Sequence, residues 1–265
     1  MTTNFPFDPI QRSKDIESLV MQGNARRYYR FRYAKFYGGI VTADAMGCNL
    51  LCAYCWNYFR NENPTIKDLG YLEPREVSKK LQDMGKSRSC NKFRISGCEP
   101  FLGKASTQHL AAIIKSMPSG NFIIESNGLM LGYNPALIGH LVDLDNVQVR
   151  IAVKGDNPEM WQKITGAEGV YQPYQLKAIT ELRGKGLSVS VAYMDEFVDP
   201  DLLGLGYDED FDSEGLQYYQ STKARLSKRG LLGSPTKPSK PVYMPVKPKE
   251  GVKQPAYWED KGDIT

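Results

Sequence analysis

Short apolar runs alternate with longer amphipathic stretches through the middle of the sequence. Apolar or β-branched runs typical of buried strands occupy residues 40–45, 93–96, 122–125, 147–153 and 187–193. Apolar positions with helical spacing occupy residues 74–84, 107–117, 135–142, 157–165 and 172–185. Strands and helices that alternate in this way predict parallel strands joined by right-handed crossovers. In such sheets the functional residues lie at the carboxyl ends of the strands.

Composition changes near both ends of this alternating region. We predict an N-terminal extension over residues 1–37, a core domain over residues 38–232 and an extended tail over residues 233–265. Residues 195–214 carry nine acidic side chains and no basic one, and we expect them to form a solvated loop. The tail is rich in proline and lysine, a composition that excludes regular helix and is typical of an extended chain.

The overall composition is that of a globular protein. Of the 265 residues, 41% are hydrophobic and 24% are charged, and the formal net charge is +4. No apolar stretch approaches the ~18–20 residues of a membrane-spanning helix, and the N-terminus lacks the apolar stretch of a signal peptide. We therefore expect a cytoplasmic protein with no membrane partner.

Five cysteines and two histidines are the side chains best suited to metal or redox chemistry. The cysteines are Cys48, Cys52, Cys55, Cys90 and Cys98. Because their number is odd and three of them lie within eight residues, metal or redox chemistry is a better interpretation than disulfide pairing. His109 and His140 both lie in segments with helical spacing, and we expect structural roles for them.

The first three cysteines follow the first predicted strand with the spacing C-x3-C-x2-C. Three thiolates on one short loop can hold three irons of a [4Fe–4S] cluster and leave the fourth iron open, whereas such clusters usually have four cysteine ligands. Structural zinc sites take four protein ligands, usually as two separated pairs. Cys90 and Cys98 do not form such a second pair, because a predicted strand separates them.

The triplet resembles the signature of the radical S-adenosylmethionine (radical SAM) superfamily, in which an aromatic residue precedes the third cysteine as Tyr54 does here. The resemblance implies a [4Fe–4S] cluster held by Cys48, Cys52 and Cys55, with the amino and carboxylate groups of SAM on the open iron. It implies that an electron from the cluster cleaves SAM and that a 5′-deoxyadenosyl radical abstracts hydrogen from a substrate. The implied fold is α/β, an incomplete (β/α) barrel with parallel strands. The implied partner is an external electron donor such as a flavodoxin or a ferredoxin.

Two further strand ends carry motifs that resemble the same superfamily. Gly97, Cys98 and Glu99 resemble the G-G-E-P motif that binds the amino group of SAM. Cys98 replaces the second glycine, so that its Cβ could crowd the ligand. A reactive or cluster-associated thiol is the alternative role, although buried free cysteines are commonly inert. Ser126 and Asn127 resemble the element near the ribose and methionine of SAM, although Asn-Gly is also a plain turn signal.

Lys154 follows the fourth predicted strand in a stretch that resembles the S-x-K-G element of activating enzymes of this superfamily. The resemblance makes Lys154 a cationic partner for the carboxylate of SAM, and a solvated lysine is the alternative. The sequences around the cysteines and around Lys154 are most similar to the branch of pyruvate formate-lyase activating enzyme. Members of that branch remove hydrogen from a glycine of a partner enzyme, so we expect a protein substrate.

RNA is the alternative substrate. Residues 25–37 interleave five basic and six aromatic side chains with no acidic one, a pattern that suits contact with single-stranded nucleic acid. In having a tryptophan, Trp56, directly after the third cysteine, the sequence also resembles the wybutosine-forming radical SAM enzyme of tRNA modification. Residues 30–33 equally suit an edge strand with its arginines in water, and the small net charge favours that interpretation.

Two other interpretations concern the chain as a whole. A non-catalytic module that binds the cluster or SAM is a second alternative, and only the replacement of glycine by Cys98 favours it. The basic tail could also close the open side of the barrel in place of a missing sixth strand. No side chain in the sequence identifies itself as the one that positions the abstracted hydrogen.

Overall fold

The computed structural model describes residues 4–204, 211–219 and 221–232, and the predicted tail lies outside the described residues. The strands are β1 (Met21–Gln22), β2 (Ala25–Ala34), β3 (Ile40–Ala45), β4 (Tyr71–Leu72), β5 (Lys92–Ser96), β6 (Asn121–Ser126), β7 (Val147–Val153), β8 (Ser188–Met194) and β9 (Phe211–Glu214). The helices are α1 (Pro9–Val20), α2 (Tyr58–Glu62), α3 (Pro74–Ser87), α4 (Lys104–Lys115), α5 (Leu129–Tyr133), α6 (Pro158–Thr165), α7 (Gln172–Gly184) and α8 (Thr222–Lys228).

Six parallel strands form most of the sheet. Strands β3, β5, β6, β7, β8 and β9 are neighbours in this order. Strand β2 pairs with β3 in the antiparallel sense, and β1 and β4 pair with the first residues of β2. Among the described residues no pairing joins β9 to the other side of the sheet, which leaves an open, incomplete barrel. The predicted α/β fold class is therefore confirmed.

All five predicted strands are present. The solvated loop expected over residues 195–214 is wrong for its last four residues. Residues 211–214 form β9, a sixth parallel strand beside β8. Arg150 on β7 donates to Asp212 at 3.0 Å and to Glu214 at 2.7 Å. A cation two strands away in the same sheet therefore neutralises carboxylates that the local sequence places in water.

The predicted helices are present except over residues 135–142. There the chain forms a short 3-10 helix, Pro135–His140, which follows the unpredicted helix α5. Helix α5 has no polar face to reveal it, because four of its five residues are buried. Its Gly132 packs so closely on α7 that a Cβ would collide with the backbone of Tyr174.

The N-terminal residues are part of the same fold. Helix α1, which the sequence pattern did not reveal, packs Ile16 and Val20 against Met46 at the end of β3. Gly47 lies beside them with φ of 91°, and a Cβ at Gly47 would lie 2.6 Å from Ile16. Strand β2 confirms the predicted strand over residues 30–33.

Alternate residues of the parallel strands face two different environments. One face is apolar, and Val41, Ile95 and Val149 on it belong to the same hydrophobic cluster as residues of the helices. The opposite face is polar: Arg94 contacts Thr42 at 3.2 Å and Glu125 at 2.6 Å. A sheet with one polar, charged face can hold a polar ligand there.

Two further observations bear on the sequence-based expectations. His109 is buried between the hydroxyl of Tyr28, at 2.9 Å, and the carbonyl of Asn24, at 2.6 Å, which is the structural role expected for it. No helix within residues 4–204, 211–219 and 221–232 is both long and apolar enough to span a membrane.

Candidate active site

The predicted site residues all follow strands of the parallel sheet. The loop with the three cysteines follows β3, residues 97–99 follow β5, Ser126 ends β6, and Lys154 follows β7. The carboxyl ends of parallel strands meet at one edge of a sheet. These residues therefore share one edge of the barrel, as the sequence predicts.

Backbone and side-chain donors fix the cysteine loop. The N–H groups of Leu51 and Ala53 donate to the carbonyls of Thr165 and Ile164, at 3.0 and 2.8 Å, at the end of α6. From α8, Arg225 donates to the carbonyl of Ala53 at 2.8 Å and to that of Cys55 at 3.2 Å. The loop is thus held by elements far away in sequence, a role that the basic composition of α8 did not reveal.

Of the three cysteines in the loop, Cys52 is buried, and Cys48 and Cys55 are half-buried. Burial raises the pKa of Cys48 and Cys52 and raises that of Cys55 to about 11. The N–H of Leu50 lies 3.4 Å from the Cys48 sulfur, and Nδ2 of Asn61 lies 3.7 Å from the Cys55 sulfur. A metal that binds here must displace thiol protons, and these donors stabilise the thiolates that result.

The arrangement suits a cluster better than a single ion. In the part of the chain that the structure describes, no three Cys, His, Asp or Glu side chains are placed to share one metal ion. A cubane cluster does not need such convergence, because each thiolate ligates a different iron. Nδ2 of Asn49, a fully buried residue next to Cys48, has no acceptor among the described residues. A bound group with acceptor atoms would satisfy this amide, so the residues present fit a cluster with SAM.

Glu99 links two neighbouring strand ends. Its carboxylate accepts the backbone N–H of Asn127 at 2.8 Å, the hydroxyl of Ser126 at 2.7 Å and the backbone N–H of Phe101 at 3.1 Å. Burial raises the pKa of Glu99 to about 7, and the three donors oppose that increase. The side chain is therefore built into the site rather than exposed on a loop.

Gln175 on α7 links the next pair of strand ends and was not predicted. Its Nε2 donates to the carbonyls of Asn127 and of Ala152, the latter at 3.0 Å, and its Oε1 accepts the N–H of Lys154 at 3.1 Å. Asn127 in turn donates to Oδ1 of Asn49 in the cysteine loop at 2.8 Å. One continuous network therefore joins the ends of β3, β5, β6 and β7.

Arg26 on β2 is a second residue that sequence reasoning missed. Its guanidinium is buried and donates to the carbonyls of Met46 at 3.2 Å, Glu99 at 2.8 Å and Pro100 at 3.1 Å. These carbonyls belong to the loops after β3 and β5. The basic pattern of residues 25–37 gave no sign of this role, because a buried arginine and an exposed one look alike in sequence.

The turn after β5 requires glycine at its first position. Gly97 has φ of 77°, and a Cβ there would lie 2.6 Å from the hydroxyl of Tyr29 and 3.1 Å from Nδ2 of Asn57. Cys98 is half-buried, and burial raises the pKa of its thiol to about 11 while Arg26 opposes the increase. The next residue, Glu99, fixes the turn through its hydrogen bonds to Phe101, Ser126 and Asn127.

Lys154 lies beside Tyr54 rather than in open solvent. Its Nζ is 5.5 Å from the centre of the Tyr54 ring, which stacks on Phe197 at 5.7 Å. Burial alone would lower the pKa of Lys154, but Tyr54, Cys52 and Glu214 together raise it above its ordinary value. Lys154 is therefore a fixed cation close to the cysteine loop.

Cys90 lies away from this edge. It precedes β5, and its sulfur contacts the carbonyl of Gly39 at 3.4 Å, close to the amino end of β3. The other four cysteines belong to the loops at the carboxyl ends of β3 and β5. The site residues Tyr54, Gly97, Cys98, Glu99, Ser126, Asn127 and Lys154 thus lie with the cysteine triplet at one edge, and Cys90 does not.

Comparison with known proteins identifies the family and the fold. The model of the radical SAM superfamily matches residues 45–195. Streptococcus suis SuiB bound to its precursor peptide SuiA has a TM-score of 0.53 at 14% identity, over 67% of this chain and 39% of SuiB. A spore photoproduct lyase mutant with bound AdoMet and dinucleoside spore photoproduct has a TM-score of 0.51 at 14% identity, over 86% of this chain and 72% of the lyase chain.

At these identities the solved structures share the fold alone with this chain, and the chain spans less than half of SuiB. No curated protein sequence matches it. The family model, in contrast, covers more than half of the chain and includes every strand end that carries a site residue. This chain therefore belongs to the radical SAM superfamily, whose members bind a [4Fe–4S] cluster and SAM.

Proposed function

We propose that this chain is an enzyme that cleaves SAM reductively and uses the resulting radical to remove hydrogen from a substrate. The observation that carries the proposal is the hydrogen-bond network that joins the cysteine loop, Glu99, Asn127, Gln175 and Lys154 at one edge of the sheet. Membership of the superfamily and this network of site residues support an enzyme rather than a non-catalytic module.

Cys48, Cys52 and Cys55 would hold the cluster. When bound, the cluster and SAM supply the electron and the 5′-deoxyadenosyl radical for the reaction. Leu50 N–H and the Asn61 amide donate to two of the sulfurs and so favour their thiolate forms. Both cysteines are half-buried, so part of each side chain is open to a bound group.

We assign to the SAM-binding site the residues Tyr54, Gly97, Cys98, Glu99, Ser126, Asn127 and Lys154. Lys154 stays protonated at neutral pH, because its pKa lies above its ordinary value although burial alone would lower it, and a fixed cation suits the SAM carboxylate. The Glu99 carboxylate already accepts three hydrogen bonds. We therefore assign Glu99 to positioning, where it fixes the turn that faces the SAM amino group.

An anaerobic assay tests the proposal. The protein is reconstituted with iron and sulfide, SAM and dithionite are added, and 5′-deoxyadenosine and methionine are measured. Cys52→Ala should lose cluster absorbance and SAM cleavage together, whereas the control Cys90→Ala should keep both because Cys90 lies at the amino end of the strands. SAM cleavage by Cys52→Ala, or stoichiometric zinc in place of iron, would overturn the proposal.

A second variant tests the assignment of Lys154. Lys154→Ala should raise the dissociation constant of SAM about tenfold, the effect of losing one charge-assisted hydrogen bond, while its iron content stays that of the wild type. Lys163→Ala is the control, since Lys163 forms only an exposed pair with Glu159 on α6. Unchanged SAM affinity in Lys154→Ala would remove Lys154 from the site.

The substrate is the open part of the proposed function. A glycine of a partner protein, with a flavodoxin or ferredoxin as electron donor, stays a prediction from the resemblance to activating enzymes. The alternative, RNA, gains support from a specific observation: arginines of β2 and α2 lie over the rings of Tyr29 on β2 and of Trp56, which directly follows the cysteine loop.

A further inference from the structure

Three arginines and two aromatic rings alternate on a surface beside the cysteine loop. In order they are Arg60, Tyr29, Arg30, Trp56 and Arg32, and we call this set the arginine–aromatic ladder. The guanidinium of Arg60 lies 4.4 Å from the Tyr29 ring centre, and that of Arg30 lies 5.7 Å from it. The guanidiniums of Arg30 and Arg32 lie 5.8 and 5.7 Å from the Trp56 ring.

A buried carboxylate fixes two of the arginines. Oδ2 of Asp44 accepts Nε of Arg30 and Nε of Arg32, each at 2.7 Å, and Asp44 is fully buried on β3. The expectation that these arginines extend into water is therefore incomplete. One carboxylate cannot neutralise the three guanidiniums of the ladder, so the ladder carries excess positive charge. Because Asp44 orders both side chains beforehand, a ligand loses less entropy when it binds them.

The ladder also offers groups that the protein leaves unused. The hydroxyl of Tyr29 and Nε of Arg60 are buried and have no hydrogen-bond partner among the described residues. Trp56 is 41% exposed, and the neighbouring Phe59 is 61% exposed. The exposed part of the Trp56 indole lies beside ordered cations, so a planar ring can stack there. These features indicate a ligand with acceptor atoms and planar rings.

The position of the ladder ties it to the proposed reaction. Trp56 directly follows Cys55, and the Tyr29 hydroxyl lies next to Gly97 in the turn after β5. The ladder therefore runs outward from the residues assigned to the cluster and SAM. A molecule bound along it lies beside the place where the radical would form.

We infer that the ladder binds single-stranded nucleic acid, with a base stacked on Trp56 and phosphates on Arg30 and Arg32. The inference rests on the proposed function, since it names the substrate class of that site. The bases of single strands stack on guanidinium and aromatic planes of proteins, and phosphate oxygens accept hydrogen bonds from guanidinium donors. Three cations and two rings are more than one nucleotide can occupy, which favours a strand over a free nucleotide.

An acidic peptide is the main competitor for this surface. Its carboxylates would satisfy Arg30 and Arg32, but they would leave the exposed face of Trp56 without a planar partner. The two ligands therefore differ in how strongly their binding depends on Trp56. A nucleic acid needs both the ring and the cations, and a peptide needs the cations alone.

Fluorescence anisotropy of the full-length protein tests the inference without SAM cleavage. The probe is a labelled oligouridylate of about ten nucleotides, within the usual site size of single-strand binders. Trp56→Leu should weaken binding about tenfold, and Trp56→Phe should restore most of it because a ring is present again. Arg30→Ala should weaken binding and lower the slope of log Kd against log salt by about 0.7, as expected for one lost phosphate contact.

Tyr33→Leu is the matched control. Tyr33 also lies on β2, is 39% exposed and stacks with Arg88 at 5.7 Å, yet it is not part of the ladder. Its loss should leave the affinity for the oligonucleotide within twofold of the wild type. An equal loss in Tyr33→Leu and Trp56→Leu would show that binding does not depend on the ladder and would overturn the inference.

Further probes separate the competing ligands. Single-stranded DNA of the same length should bind in the same way, uridine monophosphate should bind far more weakly, and a poly-glutamate peptide should not compete. Competition by the peptide that depends on Arg30 but not on Trp56 would overturn the inference and favour a protein substrate. SAM cleavage without oligonucleotide binding would reject the inference alone, and binding without SAM cleavage would reject the proposed function alone.

Discussion

The carboxylate of Glu99 accepts the backbone N–H of Asn127 at 2.8 Å and thereby joins the turn after β5 to the turn after β6. The contact is buried, and it fixes the spacing of two loops that the reaction would use together. The Glu99 side chain therefore acts on the shape of the site even if it never contacts a ligand.

Glu99→Gln should lower SAM affinity about tenfold while the iron content stays near that of the wild type. An amide NH2 group replaces one carboxylate oxygen and cannot accept from Ser126 or Asn127. Leaving one of these buried donors without its acceptor costs about 1.5 kcal/mol. SAM binding by equilibrium dialysis and iron analysis check this. Glu159→Gln, on an exposed helix surface, is the control and should bind SAM normally.

Gln175→Ala should lower the free energy of unfolding by about 2 kcal/mol. It leaves the carbonyls of Asn127 and Ala152 and the N–H of Lys154 without their side-chain partner inside the protein. Urea unfolding measures the change. Gln82→Ala is the control, because Gln82 makes one exposed hydrogen bond to Ser116, and a loss as large in that variant would contradict the prediction.

Gly97→Ala should lower the free energy of unfolding by about 2 kcal/mol, because alanine is strained at φ of 77° and its Cβ meets the Tyr29 hydroxyl. Tyr29→Phe alone should cost little, since that hydroxyl has no partner among the described residues. The double variant should recover the steric part of the loss and keep the part due to φ. Additive effects in this cycle would show that the two residues do not touch.

His109 should make stability depend on pH in the acid range. Burial lowers the pKa of His109 from 6.5 to about 4, so between these pH values the unfolded chain binds a proton that the folded chain does not. Stability contributed by the neutral imidazole is complete above pH 6.5 and falls as the pH decreases toward 4, by at most about 1.4 kcal/mol per pH unit. Urea unfolding of His109→Gln should show a shallower fall over this range. Equal slopes for the two proteins would contradict the prediction, and the same comparison at about pH 8, where the imidazole is neutral in both states, is the control.

Arg225→Ala should shorten the lifetime of the cluster without changing the cysteines. Arg225 donates to the carbonyls of Ala53 and Cys55, so its loss loosens the loop that carries the thiols. We expect iron to be released to a chelator several-fold faster, as measured by the decay of cluster absorbance. Lys228→Ala lies on the same helix and should release iron at the wild-type rate.

The sequence predicts those features whose pattern lies within a short segment of the chain. The five apolar strands show as short runs between helical stretches, and the site residues follow because parallel strands bring their ends together. The cysteine spacing is likewise a local pattern. These features need no knowledge of which residues meet across the fold.

The parts that sequence reasoning missed depend on distant partners. Asp212 and Glu214 form a strand rather than a solvated loop because Arg150 lies two strands away. Arg26 and Gln175 are buried because they find carbonyl groups on loops far along the chain. In the sequence, these side chains look like ordinary surface residues, and the free energy that buries them comes from contacts that only the folded chain makes.

Arg225 and Ala53 are 172 residues apart in the sequence, yet one hydrogen bond joins them at the cysteine loop. During synthesis the three cysteines leave the ribosome long before the helix that fastens their loop. Until that helix arrives, the carbonyls of Ala53 and Cys55 in the loop lack their arginine donor. A cluster inserted before Arg225 is in place would therefore be held by a looser loop than the one in the folded chain.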